Sequence, residues 1–315
     1  MKLNKKLLVL FSSLMLIFSL NACNKINNDA FNFNEDKHTE NVQAATNPEE
    51  LIQKSLENIK TVQSFEADQY IDVEVDADGS VSTFQNKMDI IYFDEPFKVK
   101  VKSDVFENTM PSKLVDVDDS NSSVNIDAYD LNSFLKNSSL KTSEIYIETE
   151  DNLTTSYRKM NEIWSRNELT ENSILIEKKR YNLLKNMKTV IENIENPKEI
   201  SRDSIVNGNA TIELDTTIKS ESVNEVINAI NAFQEIGLSG MDKSFYESEQ
   251  PINVKIYIDE QMGFPVKYTM DLSDLCETIY RKIDIDNIDV NKYTIDVVLS
   301  NFDNVNNFEI PQEAK

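Results

Sequence analysis

Phe65-Glu66-Ala67-Asp68-Gln69-Tyr70-Ile71-Asp72-Val73-Glu74-Val75-Asp76 sets Phe65, Ala67, Ile71, Val73 and Val75 against Glu66, Asp68, Asp72, Glu74 and Asp76. A period of two over this length predicts a long strand with one face in a core and one in water. Asp76-Ala77-Asp78-Gly79 then supplies turn residues. A second strand follows, with Phe84, Met88, Ile90 and Tyr92 on one side, and Asp94-Glu95-Pro96 reverses the chain again. The third strand sets Phe97, Val99 and Val101 against Lys98, Lys100 and Lys102. Three neighbouring strands joined by short turns predict an antiparallel meander.

Upstream, Asn47-Pro48-Glu49-Glu50 has a capping residue, a proline suited to the first helical position and a glutamate three residues after the cap. The helix it opens carries Ile52, Leu56 and Ile59 on one face. Downstream, 107–142 is rich in Ser, Asn and Asp and reads as loops with a short strand or a helical turn. Ser143–Thr149 and Thr154–Met160 read as a hairpin around Asp151-Asn152, and Trp164 marks the next short strand. Leu183, Leu184, Met187, Val190, Ile191 and Ile194 recur at helical spacing, with Pro197 closing the helix.

Ile200–Val206 and Ala210–Ile218 flank Asn207-Gly208, a turn pair that matches strand twist. Ser222 with Glu225 reads as a capping box ahead of Val223, Val226, Ile227, Ile230 and Phe233, with Gly237 and Gly240 ending the helix. Three more alternating runs follow, through Ile252–Ile258, Phe264–Met270 and Tyr293–Leu299. The expectation is α+β: one domain over 47–315, a strongly curved antiparallel sheet of about nine to eleven strands with three main helices.

The chain opens with Lys2, Lys5 and Lys6, an apolar run over Leu7–Leu20, and then Asn21-Ala22-Cys23. A basic segment, a short apolar segment and a small residue before the break describe a secretory signal over 1–22. Leu20-Asn21-Ala22-Cys23 resembles the lipobox of bacterial lipoproteins, in which the cysteine becomes the lipid-bearing mature N-terminus. The resemblance implies lipidation at Cys23 and anchoring in the outer leaflet of the cytoplasmic membrane, with the body on the extracytoplasmic face. Residues 24–46, Asn-rich and without apolar period, read as a flexible stalk. The other cysteine, Cys276, then has no partner in the chain and reads as a small core residue.

Ile256-Tyr257-Ile258-Asp259 with Gly263-Phe264-Pro265-Val266-Lys267 resembles a hairpin of LolA-like lipoproteins. The early helix, the strand after Ser64-Phe65 and Phe308-Glu309-Ile310-Pro311 are similar to an uncharacterised Firmicute lipoprotein family of this group. The resemblance implies a half-open barrel with helices on its concave face, and lipid or lipoprotein carriage in the carrier families.

The net charge of −23 argues against nucleic acid and anionic surfaces as partners. The only histidine, His38, falls in the stalk, so neither a His-based nucleophilic site nor a zinc site has its parts. Five glycines, each at a turn, leave no phosphate loop. Asp72, Glu74 and Asp76 lie on a polar strand face rather than in a cleft. Asp116-Val117-Asp118-Asp119-Ser120 with Asp127 resembles a calcium loop, but lacks its turn glycine and terminal glutamate.

No catalytic residue, metal or cofactor is expected. The function expected is binding: an apolar ligand, a lipid or acyl chain, in a cavity between sheet and helices. The alternative is a protein-interaction or regulatory surface lipoprotein, for example of a cell-wall enzyme. Tyr70, Tyr92, Trp164, Leu184, Met187, Ile191 and Phe233 are the candidate ligand-binding residues, with Phe93 beside them.

Overall fold

The computed structural model describes residues 47–77, 80–111, 139–160, 162–234, 236, 238, 243–246, 251–283 and 287–315. Helix α1 (Pro48–Asn58) leads into β1 (Ser64–Ala77), β2 (Ser80–Phe93), β3 (Lys98–Pro111), β4 (Ser139–Glu150), β5 (Leu153–Met160) and β6 (Ile163–Glu168). Helices α2 (Glu171–Tyr181) and α3 (Leu183–Glu192) follow, then β7 (Ile194–Val206), β8 (Asn209–Ile218) and α4 (Val223–Ala229). β9 (Asn253–Asp259), β10 (Pro265–Asp271), α5 (Ser273–Lys282) and β11 (Ile288–Ser300) complete the order.

The strands form one curved antiparallel sheet of eleven, ordered β6-β5-β4-β3-β2-β1-β11-β10-β9-β8-β7. The sheet does not close, because β6 and β7 stand at its two ends. The quoted stretch is its centre: β1 pairs with β2 from Ser64 opposite Phe93 to Ala77 opposite Ser80, and with β11 on its other side. The edge strand β7 is broken by register shifts and holds Pro197, features that blunt an edge against further pairing.

Asn47 caps α1 as expected, its side chain accepting from the Glu49 amide at 3.1 Å. Asp151 and Asn152 turn the β4–β5 hairpin at positive φ. Other expectations are corrected. β3 runs on to Pro111 and β4 begins at Ser139, so the ends of the 107–142 segment are strand; Asn108, Ser139 and Thr142 there weaken the alternation. The calcium-like loop at 116–127, Cys23, His38, the stalk, Gly237 and Gly240 lie outside the described residues.

Five α-helices are present among the described residues rather than three. α2 escaped notice because Ile174, Leu175 and Ile176 are consecutive and make no stripe; Thr170 caps it, accepting from the Ser173 amide at 3.3 Å. α5 carries Leu275, Cys276, Ile279 and Tyr280 inward at helical spacing. α3 ends at Glu192, and Ile194 already belongs to β7, so Pro197 sits in an edge strand and closes no helix. The Ser222 capping box does not form. A 3₁₀ turn over Ser220–Ser222 takes Ser222 into helical conformation (ψ −4°), whereas a cap needs extended backbone. α4 stops at Ala229, and Asn231 takes up φ 51° just beyond it.

The core lies between the concave face of the sheet and the helices. Met187 and Val190 of α3 are fully buried, with Leu183 and Ile191 beside them. Replacing Met187 by alanine is expected to cost about 3 kcal/mol, the ordinary loss for a large side chain at a site with no room to collapse. Chemical denaturation followed by circular dichroism would read it; a change below about 1 kcal/mol would mean that α3 packs loosely.

A smaller cluster lies on the convex face, where Phe308, Ile310 and Ala314 of the C-terminal segment cover Tyr146 and Tyr157. Lys98 fixes this segment by donating to the Phe308 carbonyl at 2.7 Å and standing over its ring.

Candidate functional site

Alternation along β1 to β4 sends a second set of residues to the concave face beside the apolar ones. Gln69 lies opposite Met88, Met88 opposite Ser103, and Ser103 opposite Ser143. One step along, Ile71, Asn86, Val105 and Lys141 form the next row. Polar side chains thus interrupt an otherwise apolar wall. Here the helices do not seal against the sheet, and a cavity of about 270 Å³ opens between these rows and Tyr181, Leu183 and Ile230.

Within it, Ser103 Oγ donates to Asn86 Oδ1 at 2.9 Å. Ser143 is 2% exposed, and its hydroxyl finds no hydrogen-bond partner among the described residues. A buried hydroxyl left alone costs about 1–3 kcal/mol, so its place on a cavity wall is informative. At the rim, Arg158 of β5 donates to Glu177 Oε1 at 2.6 Å, and Arg180 of α2 pairs with Glu177 Oε2 at 3.7 Å. Lys141 pairs with Glu107 at 3.2 Å. Burial and the Glu177 carboxylate push the Tyr181 phenol up, against the pull of the Arg180 and Arg158 guanidiniums.

The seven residues singled out in the sequence are not brought together here. Tyr70 is on the convex face, opposite Lys87 and Asp296, because it shares parity with Asp68 and Asp72. Trp164 and Phe93 are also convex: Trp164 packs on Tyr146 with ring centroids 5.8 Å apart, and Phe93 on Phe308. Tyr92 is buried on the concave side, stacked on Phe65 at 4.9 Å, with its hydroxyl between Asp94 and Asn182. Burial and the Asp94 carboxylate push that phenol up. Leu184, Met187 and Ile191 belong to the solid core, as does Phe233, which packs edge-on to Tyr293.

The cavity wall was nevertheless marked in the sequence. Gln69, Asn86 and Ser103 fall on the apolar parity of three successive strands, and aligned polar interruptions are the signal that was passed over.

A second hollow, of about 290 Å³, lies on the convex face among Glu66, Asp68, Asp89, Lys100 and Lys102. Its charges answer one another: Lys87 holds Asp89 at 2.8 Å, and Lys102 holds Asp104 at 3.5 Å. Asp68 stands directly opposite Asp89. Burial, then the hydrogen bond and charge of Asp89, push its pKa up from 3.8. The folded state therefore holds this proton more tightly than the unfolded chain, and stability falls as pH rises from the ordinary carboxylate range through the raised value. Asp68→Asn is expected to stabilise by about 0.5 kcal/mol at neutral pH, a gain that vanishes in acid. Equal stability of the two proteins at neutral pH would show no repulsion across the pair.

Among the described residues, no group of three His, Cys, Asp or Glu could hold a metal ion, and no helix is long and apolar enough to cross a membrane.

The chain is similar in structure to the lipoprotein LppX of Mycobacterium tuberculosis. The match covers 84% of this chain and 100% of that one, with a TM-score of 0.43 and 12% identity. LprF from Mycobacterium bovis matches 85% of this chain and 97% of its own, at 0.43 and 14%. A LolA superfamily protein from Nitrosomonas europaea matches 80% of this chain and 91% of its own, at 0.20 and 10%. No family model matches the sequence, the Firmicute lipoprotein family included, and no curated protein does.

Proposed function

We propose that this chain is a lipid-anchored lipoprotein of the extracytoplasmic membrane face that binds an apolar ligand, a lipid or acyl chain, between its sheet and its helices. The observation that carries the reading is the cavity on the concave face, bounded by Ile71, Val105 and Leu183 and interrupted by polar side chains. Small-molecule sites are concave and mostly apolar, with a few placed polar groups. At about 270 Å³ this one falls just below the usual ~300–1,000 Å³, which suits one chain rather than several. Leu20-Asn21-Ala22-Cys23 supports the anchor. A fluorescent polyene fatty acid titrated with the purified protein tests the binding reading: saturable enhancement at one probe per chain is expected, and none would overturn it.

A protein-interaction role is the second reading. It is favoured by Leu175 and Ile176, adjacent on α2 and 65% and 59% exposed, since apolar neighbours on a surface can mark a contact site. Loss of a co-purifying partner in a Leu175→Ser, Ile176→Ser variant that still takes up the probe would support it.

A further inference from the structure

We infer that the apolar ligand carries an uncharged oxygen within its chain, a hydroxyl or an ester, and that Ser143 is the residue that reads it; this rests on the binding reading above. Ser143 of β4 stands directly opposite Ser103 of β3, where facing side chains start about 5 Å apart and two hydroxyls can meet. They do not bond to each other. Ser103 Oγ turns the other way and donates to Asn86 Oδ1 on β2 at 2.9 Å. Ser143 is 2% exposed, and its hydroxyl has no hydrogen-bond partner among the described residues. The cavity wall thus holds one satisfied polar pair and, beside it, a hydroxyl able both to donate and to accept.

The neighbouring rows place the complementary oxygen along the ligand. Side chains of one face recur every second residue, about 7 Å along a strand. On one side of the Ser103–Ser143 row lie Val101 and Ile145, opposite each other, and on the other side lies Val105. A chain laid along β3 meets apolar wall, then the hydroxyl, then apolar wall again, so the group that Ser143 reads lies inside the chain rather than at its end. The charged side chains at the cavity are paired among themselves, Arg158 and Arg180 with Glu177 and Lys141 with Glu107, which favours an uncharged group. An ester carbonyl or a hydroxyl meets both conditions, and either would give the buried Ser143 hydroxyl the partner whose absence is costly.

Displacement of a bound fluorescent polyene fatty acid by two pairs of isomers tests this with the apolar content held equal: hexyl hexanoate against methyl undecanoate, and dodecanol with its hydroxyl in mid-chain against dodecanol with it at the end. The mid-chain isomer of at least one pair is expected to compete about fivefold or more better, the worth of a neutral hydrogen bond, and the pair that shows the gap tells ester from hydroxyl. Ser143→Ala should close that gap. The same variant should be at least as stable as the unaltered protein, because its lost hydroxyl had no partner; a marked loss of stability would show that hydroxyl bonded within the fold and remove it from the ligand. No advantage of the mid-chain isomer in either pair, or a gap that Ser143→Ala leaves open, would overturn the inference while leaving the cavity its apolar ligand. Uptake of neither the polyene nor any isomer would overturn the binding reading itself.

Discussion

Replacing Ser143 by phenylalanine is expected to weaken uptake of an acyl-chain probe about a hundredfold or more, equivalent to ~2.7 kcal/mol. Ser143 projects from β4 onto the concave face, on the wall of the cavity, with its hydroxyl unpartnered among the described residues. A benzyl group there takes up space that the ligand would fill. The fold should survive, since the ring enters a void and not a packed core, and overpacking costs only about 1–3 kcal/mol in any case. Removing the hydroxyl also removes its desolvation cost, which offsets part of the strain. Fluorescence titration beside a denaturation curve separates the two effects. A variant that folds and binds the probe as before would place the ligand elsewhere.

Cys23→Ser is expected to abolish incorporation of labelled palmitate and to release the protein from the membrane fraction. The argument comes from the sequence alone: basic residues, the apolar run Leu7–Leu20, and cysteine directly after Ala22. The other cysteine serves as a control. Cys276 is fully buried on the inner face of α5, and burial pushes its thiol up, far from the thiolate form that reacts. Cys276→Ala should therefore leave labelling intact. Label retained in Cys23→Ser would show that the modification, and the anchor, lie elsewhere.

The sheet was legible where alternation was unbroken. β1 to β3 and the Asn207-Gly208 hairpin follow from parity and turn chemistry alone, because a one-residue slip would turn each apolar face to water. The helices were legible only when apolar residues formed a stripe, as in α3. α2 packs few side chains inward, and those of α5 directly follow a strand, so neither segment was read as a helix.

The site was the least legible part. Large apolar and aromatic residues were natural candidates, but side chains such as Met187 and Phe233 fill the core and line no space. Tyr70 shows the cost of weighing residue type over parity: its neighbours already assigned it to the acidic face. The rim could not have been found from the chain, since Arg158 and Glu177 meet only when α2 folds back over β5.

The most direct measurement is native mass spectrometry of the protein purified from its own cells, before and after gentle delipidation. The account predicts an added mass of one non-covalent ligand per chain, lost on delipidation and restored by an acyl-chain amphiphile. A single unliganded mass that takes up nothing would contradict it.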